Sequence, residues 1–177
     1  MIIEYMEKMM RKIWINLPIF FILLSGMACG SLPQTKSEDF SLYYYWNIGA
    51  LPPEEHYEIE LEINPDRSAI ATVQVGYAEF GAQRTSFEFA VPAAQWNSFY
   101  QWLIENEILE HDWSHPGYAL LGANETLVKF QVNGSAYEIP SQSNLSPEDR
   151  ELFTQVQNEI ESLIPVDIWE KMETLAP

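Results

Sequence analysis

Residues 92–110 read PAAQWNSFYQWLIENEILE, and no other stretch limits the fold so strongly. Wound at about 100° per residue, the segment places Trp96, Phe99, Tyr100, Leu103 and Ile104 on one side. Asn97, Ser98, Gln101 and Glu105 fall on the other. Pro92 suits the first helical turn, where a missing N–H costs nothing. A helix that is apolar along one side needs a broad apolar partner. The flanking runs supply it, because they repeat every two residues. Helices covering one face of a sheet are the expected result.

The clearest of these runs is His56 to Ile63. Tyr57, Ile59, Leu61 and Ile63 alternate with His56, Glu58, Glu60 and Glu62, as on a strand with one dry and one wet side. Asn64-Pro65-Asp66-Arg67 is a turn, and Ala69 to Tyr77 returns with Ala69, Ala71, Val73 and Val75 on one face. Arg84 to Val91 follows, with Thr85, Phe87 and Phe89 inward and Arg84, Ser86 and Glu88 outward. That spacing lets Arg84 reach the glutamates of the first strand across the wet face.

Beyond the helix, Asn124–Val132 and Ser135–Ile139 flank Asn133-Gly134, the residue pair that favours a type I′ hairpin turn. A two-residue turn pairs Phe130 with Tyr137 and Val128 with Ile139, which keeps the apolar residues on one face. Ser146 then caps a second helix over 146–164, with Leu152, Phe153, Val156, Ile160, Leu163 and Ile164 as its buried stripe. Val166 to Leu175 adds a short closing helix. The aromatic run Ser41–Trp46 reads as an edge strand packed against the sheet. The expected fold class is α+β: a single, largely antiparallel sheet of about five strands, with two main helices on one face.

The chain opens MIIEYMEKMMRKIWINLPIFFILLSGMAC. Lys8, Arg11 and Lys12 precede an apolar stretch from Ile13 to Leu24, interrupted by Asn16 and Pro18. About a dozen apolar residues fall short of the roughly 20 that span a bilayer, but they match the core of a signal peptide. Ser25-Gly26-Met27-Ala28-Cys29-Gly30 resembles the lipobox of bacterial lipoproteins, with Ala28 and Cys29 in place and Gly26 where a leucine is usual. The resemblance implies lipidation at Cys29 and an anchored mature protein. Gly30 in place of an aspartate implies outer-membrane retention in a two-membrane envelope. An uncleaved signal anchor with an incidental cysteine is the alternative. On this reading residues 1–28 are the signal, 29–41 a polar tether and 42–177 one α+β domain.

The chain has 26 acidic and 9 basic residues; two acids and three bases precede Cys29, leaving 24 against 6. Such a surface repels phosphate backbones, so no nucleic-acid partner is expected. It serves either solubility or the capture of a basic partner. The single cysteine excludes an internal disulfide and any CxxC redox or zinc motif.

His111, Asp112 and His115 form the one cluster with metal-ligand chemistry. Their spacing suits one helix face, yet Pro116 biases His115 out of the helical region and favours a loop. Glu58, Glu60 and Glu62 stand about 7 Å apart on one strand face, where a solvated face and paired carboxylates look alike. The apolar stretch with Tyr118, Leu120 and Leu121, beside Trp113, either docks a partner or folds onto the core. There is no G-x-S-x-G and no glycine-rich phosphate loop, and no cofactor is expected.

The succession HYEIELEI, TSFEFAV, WNSFYQWLIENEIL and FQVNGSAYEIPS resembles, in element order and hairpin style, the emfourin-type inhibitors of thermolysin-like proteases. Small exported bacterial domains of uncharacterised activity are similar too. No inhibitory residue carries over from either. The expected function is a membrane-anchored, non-catalytic envelope domain that holds a protein partner. Glu58, Glu60 and Glu62, or Trp113 with Tyr118, Leu120 and Leu121, would be the contact. The rival is an envelope enzyme, metal-dependent through His111, Asp112 and His115.

Overall fold

The computed structural model describes residues 35–113 and 124–176. Strands β1 (Ser41–Asn47), β2 (Tyr57–Ile63), β3 (Ser68–Val75) and β4 (Gln83–Ala90) form an antiparallel meander. Helix α1 (Ala93–Glu105) then carries the chain back across the sheet. Strand β5 (Glu125–Val132) pairs with the free side of β1, and β6 (Ser135–Ile139) completes the hairpin. Helices α2 (Pro147–Glu161) and α3 (Val166–Glu173) close the fold. The sheet is antiparallel throughout, in the order β4-β3-β2-β1-β5-β6.

The sheet has six strands where the sequence predicts about five, and the aromatic run sits elsewhere than expected. Ser41–Asn47 lies between β2 and β5, in the middle of the sheet instead of at its edge. Leu42 and Tyr44 point into the core while Tyr43 and Tyr45 point out. A half-aromatic central strand of this kind keeps large surfaces on both faces of the sheet.

The two main helices pack on one side of the sheet. Leu42, Tyr44, Leu61, Ile63, Ala69, Ala71, Val73, Val128 and Phe130 share the dry face and are buried. Phe99 of α1 packs 6.2 Å from Phe130, ring to ring. The Tyr44 hydroxyl donates to Glu161 at the end of α2 at 3.1 Å. Because Tyr44 and Phe130 share that face, both helices cover it, as predicted. Gln95 donates to the Ser162 carbonyl at 2.7 Å and ties α1 to the end of α2.

Local chemistry sets the element ends. Pro92 sits at the N-cap of α1, one place earlier than expected, and the helix stops at Glu105 instead of Glu110. Glu107 then adopts φ 54° and reverses the chain, so Ile108 and Leu109 reach the core through a turn. Ser146 caps α2 by accepting from the Asp149 N–H at 3.1 Å. In the β5–β6 turn Asn133 and Gly134 have φ 50° and 75°, the left-handed pair that a type I′ turn requires. The pairs Phe130–Tyr137 and Val128–Ile139 form as predicted.

Residues 37–40, assigned above to the tether, belong to the packed unit. Phe40 is 0% exposed and stacks on Trp96 at 4.4 Å. The Asp39 carboxylate accepts from the backbone N–H groups of Asn133 and Gly134 at 2.7 and 2.6 Å, and from the Ser37 hydroxyl at 2.5 Å. These bonds, that from Ser37 first, hold its pKa down at about 2. The approach to β1 thus clamps the hairpin turn.

Candidate functional site

With α1 and α2 on the dry face, the strand registers decide what the described residues present on the opposite face of the sheet. Tyr43 stands opposite Glu62, Tyr45 opposite Glu60 and Asn47 opposite Glu58. On the other side of β2, Glu58, Glu60 and Glu62 face Gln74, Thr72 and Ile70. Arg84, Ser86 and Glu88 continue these rows on β4, and Lys129, Leu127 and Glu125 continue them on β5. The result is an acidic band with two outward tyrosines beside it.

The three glutamates differ in how they are held. Glu60 takes the Arg84 guanidinium, the predicted cross-sheet pair, and accepts from the Tyr43 hydroxyl at 3.0 Å. Partial burial, then that bond, push the Tyr43 phenol up to about 12. Burial likewise raises Tyr45, whose hydroxyl accepts from Asn47 at 3.0 Å. Glu58 accepts from Gln74 at 3.2 Å and lies 3.0 Å from Nε2 of His56. Glu62 is exposed. Glu138 beyond β5 pairs with Lys129 at 3.3 Å. Two carboxylates of the band are thus oriented by neighbours, while Glu62 and the equally exposed Glu88 face solvent.

One end of this face is roofed. His56, read from sequence as a wet-face residue, is 2% exposed. Its Nδ1 lies 2.9 Å from the Gly49 carbonyl, and its ring stacks on Tyr77 at 3.8 Å. Tyr77 in turn donates to the Leu51 carbonyl at 2.8 Å. The β1–β2 connection therefore folds back over the end of the strand. No sequence pattern announces this, since two of the contacts are loop carbonyls. On the β5–β6 side of the face lies a shallow groove of about 480 Å³ between Tyr43, Tyr45, Glu125, Leu127, Glu138 and Pro140. Alternation along β1 was the available signal for Tyr43 and Tyr45.

The other candidate residues separate. His111 Nε2 lies 2.8 Å from Oδ1 of Asp149, a residue of α2 that the sequence does not single out. The other Asp149 oxygen accepts the Ser146 hydroxyl at 2.9 Å. His111 thus joins the segment after α1 to the cap of α2. Trp113 is 8% exposed and donates from its indole to the Ile108 carbonyl at 3.1 Å, so it is core instead of an exposed docking ring. Among the described residues no cluster of three or more His, Cys, Asp or Glu side chains is arranged to hold a metal ion. Among them also, no helix is long and apolar enough to cross a membrane. Cys29, His115, Tyr118, Leu120 and Leu121 lie outside the described residues.

Compared with protein-family models and with curated proteins, the chain matches neither a family nor an individual protein.

Proposed function

We propose that the chain is a membrane-anchored, non-catalytic binding domain of the cell envelope that holds a basic protein partner on the open face of its sheet. The observation that carries this reading is the one-sidedness of the fold. Helices α1 and α2 pack on the dry face, and among the described residues the other face concentrates Glu58, Glu60, Glu62, Glu88, Tyr43 and Tyr45. Carboxylates beside amphipathic aromatic rings suit lysine and arginine side chains, by charge and by cation–π contact. A net charge of −17 adds long-range attraction for a basic partner. The lipidated Cys29 supplies the anchor, as the N-terminal resemblance implies.

The test uses the full chain, immobilised and exposed to envelope extract, with lysine-rich peptide as a defined probe. Glu62→Lys combined with Glu88→Lys changes exposed side chains only, so the fold should survive and capture should fall at least tenfold. Capture should also weaken steeply with salt. Retention that is indifferent to both charge reversal and salt defeats the reading. Loss of capture in His111→Ala/His115→Ala, together with stoichiometric zinc in the wild type, would favour the metal-dependent rival instead.

A further inference from the structure

Strand β4 ends the sheet, and its outer edge has no partner strand among the described residues. Two backbone bonds show which groups that edge presents. The Val91 N–H donates to the Arg67 carbonyl at 3.0 Å, in direct continuation of the β3–β4 register. Bonded and non-bonded pairs alternate along an antiparallel ladder, so Arg84, Ser86, Glu88 and Ala90 turn their N–H and C=O groups away from β3. The β2–β3 ladder gives the same parity independently. There the Gly76 N–H bonds the His56 carbonyl at 2.8 Å, which turns even-numbered residues of β3 towards β2 and odd-numbered ones towards β4.

Sheets usually blunt such an edge with proline, charged side chains (lysine above all), a bulge or brevity. The other outer strand, β6, has five residues and runs straight into Pro140. β4 has eight residues, QRTSFEFA, with no proline or lysine, and an unbroken register against β3. Its charges are arranged symmetrically about its own centre, with Arg84 two places before Ser86 and Glu88 two places after.

We propose that β4 pairs antiparallel with β4 of a second copy of this chain, about a two-fold axis at Ser86. In that register Ser86 meets Ser86, and Arg84 of each copy meets Glu88 of the other on the open face. All of these residues carry the outward backbone groups that the pairing consumes. On the helix side Thr85 meets Phe87 and Gln83 meets Phe89, which covers two rings that a single copy leaves half-buried. A slip of two residues in either direction sets Arg84 or Glu88 against Ser86 and forfeits both ion pairs, so charge selects the register. Arg84 keeps its own Glu60, because a guanidinium has five N–H donors and this one is 57% exposed. The contact is isologous and closes at two copies. The pairing shares Glu88 with the face proposed for the basic partner, but Glu62 lies outside it on β2, so Glu62→Lys alone should weaken capture and leave the dimer intact.

The full chain, purified in mild detergent, provides the test. Ser86→Cys should form a reducible dimer on oxidation, because a bonded antiparallel pair holds its Cα atoms about 5.5 Å apart, within disulfide range. Wild type, with Cys29 as its single cysteine, sets the background, and Glu138→Cys on the far edge should stay at that background. Light scattering should give twice the monomer mass. Arg84→Glu or Glu88→Arg alone should lower that mass towards the monomer, and the double variant should restore it as the charges exchange places across the axis. A wild type that stays monomeric overturns the proposal. So does a dimer insensitive to the single charge changes, or one that Glu138→Cys cross-links instead of Ser86→Cys.

Discussion

Replacing Phe40 by alanine separates a tether from a core more sharply than any other single change. In the sequence the residue closes a polar stretch. In the fold it is 0% exposed, stacked on Trp96 at 4.4 Å and edge-on to Tyr100 at 4.9 Å. Losing the burial of the ring costs about 2–3 kcal/mol in transfer free energy. The cavity left behind, at about 24 cal/mol per Å³ over roughly 100 Å³, adds about 2 kcal/mol if the walls do not relax. Partial collapse brings the expected loss to about 3–5 kcal/mol. A domain of this size should melt about 10–15 °C lower as a result. Urea denaturation followed by tryptophan fluorescence measures the loss as a fall in midpoint at constant slope. Phe40→Leu should recover more than half of it, and Lys36→Ala should change stability by less than about 0.5 kcal/mol. A loss below about 1 kcal/mol for Phe40→Ala, with the slope unchanged, would refute the reasoning and return the residue to the tether.

Two further outcomes follow from the caps. Asp39 titrates near 2 when folded against an ordinary 3.8, so its contribution is present above about pH 4 and is lost as pH falls through 2; the urea midpoint of wild type should drop over that window more steeply than that of Asp39→Asn. Ser146→Ala removes the acceptor for the Asp149 N–H and one donor to its carboxylate, and should cost about 1 kcal/mol by thermal unfolding, whereas Ser146→Gly should cost only a few tenths.

Features that depend on neighbours along the chain were legible before the fold. Alternation in 57–63 and 69–75 assigned faces to β2 and β3, Asn133-Gly134 set the hairpin register, and Ser146 marked the start of α2. Each rests on a local rule: the pleat repeats every two residues, a tight turn needs positive φ, and a helix start needs an acceptor. Even the Arg84–Glu60 pair was legible, because three consecutive strands of a meander leave few registers open. The remaining features came from contacts between distant segments. The aromatic run became the sheet's centre because α1 carries the chain over the sheet, so that β5 meets the free side of β1. Phe40 looked like tether because one apolar residue among polar ones has no period to reveal its burial. Asp149 stands 38 residues beyond His111, and His56 meets a carbonyl of Gly49 that any residue there would offer. Such contacts form between segments joined by long loops, and residue type does not encode which segments the fold brings together.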